Sequence, residues 1–129
     1  MIIETKYNYM KRAIKFRGKR LINGDWVYGD LHIRAPFAHI HSDLGTKHHI
    51  DIDTVGQFTG LLDKNGKEIY FDDIVRNKFG DIGCVIWFSD WSLRVDWGGG
   101  DIHFIDPEWG LKVIGNIHDN PELLNPKSE

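Results

Sequence analysis

The sequence predicts an all-β protein made of short strands, and three observations predict it. Apolar residues alternate in short runs rather than recurring at helical spacing, and 14 Gly punctuate a chain of 129 residues. Asp63-Lys64-Asn65-Gly66 lies between Phe58/Leu61/Leu62 and Ile69/Tyr70. Asn-Gly tolerates positive φ, which a hairpin turn demands, so Asn65 and Gly66 are expected at the positive-φ positions. The 16 aromatics, five of them Trp, supply large buried area to strand faces although hydrophobic content is only 41%.

Taken in order, residues 1–9 show no usable period and read as an N-terminal extension. Ile14-Lys15-Phe16-Arg17 alternates apolar and basic, which predicts a half-buried strand with Lys15 and Arg17 outward. Asn23-Gly24-Asp25 makes a turn. Trp26 to Ile33 returns, with Trp26 and Tyr28 on one face and Val27, Leu31 and Ile33 on the other. A lone hairpin is marginal in water, so this one must pack on the rest of the chain or on another copy. Residues 34–53 hold Pro36, Gly45, His39, His41, His48 and His49, and read as a long loop or as short strands of unassigned bounds.

Thr54 to Val75 is the organising stretch: two strands joined by the Asn65-Gly66 turn, then a second bend. Asp72 and Asp73 cannot both enter a core, because an unpaired buried charge is too costly. A bend or bulge at Asp72-Asp73 is expected, with Ile74 and Val75 opening the next strand. Cys84 to Phe88 is a continuous apolar run that predicts a strand buried on both faces. Leu93, Val95 and Trp97 alternate inward, Gly98-Gly99-Gly100 is a loop, and Ile102 to Ile105 and Leu111 to Ile117 are further strands. Turns every 8–12 residues suggest a small barrel or sandwich. Asn120-Pro121 is a cap followed by Pro at the first helical position, which predicts one C-terminal helical turn.

Several classes are disfavoured. No apolar run approaches the roughly 20 residues of a membrane-spanning helix. The start, MIIETKYNYM, lacks the pattern of a secretory signal. Cys84 is alone, which fits a reducing cytoplasm and a small buried hydrophobe rather than a nucleophile. Charge is uneven: residues 1–50 carry nine Lys/Arg against four Asp/Glu, net +5, and residues 51–129 carry seven against fifteen, net −8. That split suggests two subdomains.

Four ordered blocks carry a resemblance. IKFRGKR with NGDWVYGDL, TVGQFTG, DKNGKEIY with a following Asp-Ile-Val, and VIGNIHDNPELL together resemble the YopX family of phages and prophages. The likeness runs from about Met10 to Leu124. The family pattern has Glu-Gly-Asp before Ile-Val where this chain has Phe71-Asp72-Asp73. The resemblance implies an all-β fold with an N-terminal oligomerising β-hairpin part and an SH3-like C-terminal barrel. It implies no established activity. The expected division is 1–9 as extension, 10–53 as an N-terminal β subdomain with a His-rich loop, and 54–129 as the barrel.

The strongest functional signal is Lys11-Arg12, Lys15, Arg17, Lys19 and Arg20, six cations in ten residues without an acid. Lys15, Arg17, Lys19 and Arg20 are the candidate binding face. Its ordinary reading is an edge strand guarded by cations, or a partner for the acidic half of a neighbouring copy. His39-x-His41 would share a strand face, and His48 with Asp51 could add ligands, yet closed metal sites need about four well-placed ligands. No metal or cofactor is expected. Gly98-Gly99-Gly100 lacks the helix and Gly-Lys-Ser/Thr of a phosphate loop. Asp72-Asp73 with Glu68, and Asp101 with Asp106, could do acid–base work, but no nucleophile or base has diagnostic spacing, and no catalytic residue is assigned. The expectation is a cytoplasmic, self-associating, non-enzymatic binding protein, with a host or phage protein as possible partner and no membrane contact. The alternatives are a nucleic-acid-binding module using the basic strand, and then a metal-dependent hydrolase in the acidic barrel.

Overall fold

The computed structural model describes residues 14–125; the extension at residues 1–9, and Lys11 and Arg12 with it, lie outside them. Ten strands follow one another: β1 (Phe16–Arg20), β2 (Trp26–Arg34), β3 (Phe37–His41), β4 (Lys47–Leu62), β5 (Glu68–Tyr70), β6 (Asp73–Arg76), β7 (Ile82–Trp87), β8 (Leu93–Asp96), β9 (Ile102–Phe104) and β10 (Lys112–Asn116). Short 3-10 turns lie at Pro107–Trp109 and Pro121–Leu124. The protein is all-β, with two five-stranded antiparallel sheets ordered β1-β2-β3-β4-β5 and β10-β6-β7-β8-β9. Two compact units result, one ending at Gly60 and the other beginning at Leu61. The boundary expected before Thr54 falls inside β4.

The first unit is a ring. β1 pairs with β2 on one side and with β4 on the other, so the first four strands close on themselves. This corrects the reading of the basic strand as a sheet edge. Ala38, Ile40 and Ile50 are buried inside, with Phe16, Val27, Leu31 and Val55 packed around them. A fully buried Ile contributes roughly 1.5–3 kcal/mol, so this small core still matters. Gly18 makes the tight interior possible, since a Cβ there would sit 2.5 Å from Ile50 Cδ1. Ring closure strains the register: Arg17 faces Gly56 and Lys19 faces Asp51, so β4 spends five residues against two of β1. The buried Thr54 hydroxyl fills the gap, accepting the Lys19 N–H at 2.8 Å and donating to the Asp51 carbonyl at 2.6 Å.

Residues 34–53 are not a long loop. They contain β3 and the first part of β4, joined by a turn in which Gly45 N–H donates to Ser42 O. The alternation is present, with Ala38 and Ile40 inward and His39 and His41 outward, but short polar strands hide it.

In the second unit, Ile69, Phe71, Val75, Val85, Val95, Leu111 and Val113 form the core, and Leu93, Trp97, Ile105 and Trp109 pack against it. The β4–β5 turn forms where expected. Asp63 N–H donates to Lys67 O and Gly66 N–H donates to Asp63 O. Gly66 has φ +84, whereas Asn65 keeps negative φ, so only one of the two expected positions is left-handed. That is the pattern of a longer loop closed by a left-handed glycine rather than a two-residue turn. The Asp72-Asp73 bend is also present, with the two acids divided. Asp73 is buried and accepts the Tyr70 N–H at 2.7 Å, while Asp72 lies at the surface side of the bend.

Two local expectations change. β7 is not buried on both faces: Cys84 and Val85 are buried, but Trp87 is exposed and stacks on Phe71 at 4.0 Å between ring centroids. At the C-terminal turn, Asn120 makes no side-chain cap; its Oδ1 instead accepts the Asn116 N–H at 3.3 Å. Asp106 does cap the other 3-10 turn, accepting the Glu108 N–H at 2.9 Å.

Candidate functional site

The basic strand presents less charge to solvent than its sequence suggests. Lys15, Arg17 and Lys19 follow period 2, but Arg17 is only 6% exposed. Its guanidinium carbon lies 4.6 Å from the centre of the Trp26 ring, and Lys19 Nζ lies 5.5 Å from the same ring. A planar, weakly hydrated cation stacks well on an indole, which lets arginine occupy a position expected to face water. Lys15 Nζ lies 5.5 Å over the Phe58 ring. Arg20 is half-buried where β1 ends, its N–H donating to Asp25 O. Arg17, Lys19 and Arg20 therefore share β1, Lys15 immediately precedes it, and Lys15, Arg17 and Lys19 lie over aromatic rings.

The histidines gather on the outer side of the ring. His32 faces His39 across β2–β3, and His39 faces His49 across β3–β4. His41 joins them, 4.5 Å from His32 between ring centroids, and His39 and His49 are 4.4 Å apart. His48 faces Ile40 and so lies on the opposite side, away from the site once expected for it. Among the described residues, no three or more His, Cys, Asp or Glu side chains are placed to hold a metal ion. Burial, with the nearby Lys47 and the other three imidazoles, lowers the His39 pKa from its ordinary value.

The acidic pairs singled out in the sequence are separated by their local roles. Glu68 accepts the Tyr70 hydroxyl at 3.0 Å, and Asp72 Oδ2 lies 3.5 Å from His118 Nε2. Asp106 caps a 3-10 turn, while Asp101 Oδ1 lies 2.5 Å from His103 Nε2. Cys84 sits in the core, and burial, together with the charges of Asp72, Asp96 and Asp73, pushes its thiol up to about 12. Such a thiol is not a nucleophile at neutral pH.

One cavity stands out in the second unit, of about 520 Å³, at a place where sequence reasoning assigned no site. Three connections meet at one end of the sheet: the β6–β7 turn, the β8–β9 turn and the 3-10 turn before β10. They supply Asn77, Phe79, Asp81, Ile82, Trp97, Asp101, His103 and Trp109. Lys78 N–H donates to Trp109 O at 2.8 Å and ties the first turn to the third. Asn77 Oδ1 accepts the N–H groups of Phe79 and Asp81, both at 2.9 Å, fixing the β6–β7 turn from within. Gly83 leaves room for the indole of Trp97, because a Cβ there would sit 2.7 Å from Trp97 Cε3. Trp97 and Trp109 meet edge to face at 5.4 Å. The Gly98-Gly99-Gly100 turn closes with Asp101 N–H donating to Gly98 O, and Asp96 accepts the Gly98 N–H. Carboxylates, not cations, surround those glycines, which opposes a phosphate there.

A family model described as YopX protein matches residues 12–125. The chain belongs to the YopX family. No curated protein matches it. Asp72 has φ +76, in the left-handed region that glycine enters freely and other residues enter at a cost. Asp is among the better tolerated substitutes there. No helix among the described residues of this YopX chain is long and apolar enough to cross a membrane.

Proposed function

We propose that this YopX protein is a self-associating, non-enzymatic binding protein, of phage or prophage type and acting in the host cytoplasm. One observation carries the reading. The β1–β2 and β3–β4 turns emerge at the same end of the four-stranded ring, and they hold Leu21, Ile22 and Leu44 at 65%, 78% and 93% exposure. Single exposed apolar residues are ordinary, but three at one end of a small domain form a patch that association would cover. The occupant we assign is a second copy. Residues 1–60 carry nine Lys/Arg and six Asp/Glu, net +3, and residues 61–129 carry seven and thirteen, net −6. Opposite charges on the two units orient and speed the approach of copies, while apolar burial supplies most of the affinity.

The test is sedimentation velocity on the parent and on Ile22→Ser/Leu44→Ser. Both side chains are solvent-facing, so the fold should survive. The parent should sediment as an oligomer and the variant as a smaller species. A monomeric parent at tens of micromolar would overturn the proposal. A second reading is nucleic-acid binding through the β1 face, favoured by Tyr28, exposed opposite Arg17 and beside Trp26. It ranks second because Arg17 is buried against Trp26 and the chain as a whole is acidic. A mobility shift with single-stranded RNA that weakens steeply with salt would favour it.

A further inference from the structure

From the cavity of the second unit we infer that it is a binding site for a cationic side chain, a lysine ammonium or arginine guanidinium presented by a protein partner. It goes beyond self-association and does not depend on the oligomeric state. The walls are three aromatic rings, Phe79, Trp97 and Trp109. Phe79 is 73% exposed at the end of a turn, where it contributes little to the core. The neighbouring Lys78 Nζ lies 5.5 Å from its ring centre, so this ring already accepts a cation from the chain itself. The two indoles meet at an interplanar angle of 79°, so they present a face and an edge at a corner. An aromatic face attracts a cation through its quadrupole, and indole does so best.

The polar lining selects the sign of the ligand. Asp81 and Asp101 are exposed carboxylates that line the cavity, and Asp96 ends β8 and accepts the Gly98 N–H of the adjoining turn. His103 is the one lining group able to carry positive charge, and it is engaged by Asp101. Phosphates and carboxylates are repelled by such a lining; Asp81 accepts the Asn77 Nδ2–H at 3.2 Å and Asp101 pairs with His103, and each carboxylate keeps a second oxygen for a charged head. A flat guanidinium or a slender ammonium satisfies both walls: rings around the alkyl stem and carboxylates at the charged head. The volume of about 520 Å³ accommodates one long side chain with its backbone at the mouth. The walls are also pre-organised. The Lys78-to-Trp109 hydrogen bond, the Asn77 side chain and the packing of Trp97 on Gly83 hold the three connections before any ligand arrives.

The experiment is an NMR titration of the full-length protein, following the indole N–H signals of Trp97 and Trp109. Four blocked amino acids serve as probes: N-acetyl lysine and arginine methylamides, and their neutral counterparts from norleucine and citrulline. The cationic probes should shift both indole signals saturably and bind at least about 10-fold tighter than the neutral pair, the scale expected when cation–π and charge terms combine. Asp81→Asn/Asp101→Asn should lose at least about 5-fold in affinity for arginine while its melting curve stays close to the parent's. Should that variant unfold, Phe79→Ser provides the same reading from a residue already in solvent. Equal binding of citrulline and arginine, or no saturable shift with any probe, would each overturn the assignment.

Discussion

Asp63 should be the most consequential single carboxylate of the second unit. It is buried, with one oxygen accepting the N–H groups of Asn65 at 2.8 Å and Lys67 at 2.9 Å. Its other oxygen accepts the N–H of Val113, fifty positions along the chain, at 2.9 Å. The carboxylate thus shapes its own turn and ties it to β10. Asp63→Ala removes all three acceptors. The Asn65 and Lys67 amides lie at an exposed turn and recover water, at about 0.5 kcal/mol each. The Val113 amide is buried and has no such recourse, which costs about 2–3 kcal/mol for a lost charge-assisted bond. The sum is about 3–4 kcal/mol, or roughly 10 °C in Tm for a chain of this size. Burial raises the Asp63 pKa, but the bonds from Val113, Lys67 and Asn65, helped by the Lys67 charge, outweigh it and hold the carboxyl below its ordinary 3.8. A group depressed in the folded state contributes stability above its unfolded pKa and loses it as pH falls through the folded one. The parent should therefore lose stability more steeply than Asp63→Ala in the acid range. Urea melts monitored by near-ultraviolet tryptophan dichroism, from pH 7 down to pH 2.5, measure both quantities. An Ala variant within about 1 kcal/mol of the parent at pH 7 would refute the reasoning.

Two further outcomes follow from positions described above. Asp72→Val should be less stable than Asp72→Gly by at least about 1–2 kcal/mol, because a β-branched residue is strained at φ +76; equal denaturant midpoints would contradict it. His39 binds a proton less readily folded than unfolded, so the first unit should weaken as pH drops through 6.5. The His39→Gln variant should show a shallower slope, and an imidazole signal of His39 titrating at or above 6.5 would contradict the prediction.

Alternation and turn chemistry, being local, were legible in the sequence. The Trp26 strand, the Asn65-Gly66 turn, the bend at Asp72-Asp73 and the later strands all stand near their expected places. What was not legible depended on distant partners. Arg17 has the right spacing to face outward, and its burial depends on partners on neighbouring strands, the Trp26 ring among them. Asp63 reads as a turn residue, and nothing near it announces Val113. β3 and the start of β4 were obscured because histidines fill the outer positions, where a more regular strand would carry Thr or Lys. The cavity drew on three connections, each an ordinary turn by itself. Its signal, if any, was the number of aromatics placed in turns: Phe79 and Trp97 beside glycines, and Trp109 before one.

The closed ring of the first unit bears on the order in which that unit can assemble. The β1–β2, β2–β3 and β3–β4 connections span five, two and five residues, so these hairpins zip locally. Joining Phe16 to Gln57 is a different kind of event, because it brings together residues forty-one positions apart. Loop-closure entropy delays such a pairing until the intervening chain has condensed, so the meander forms first and the β1–β4 seam last. Thr54, whose hydroxyl bridges that seam, would then report on the final step. Its replacement by Val should speed unfolding and leave the folding rate nearly unchanged.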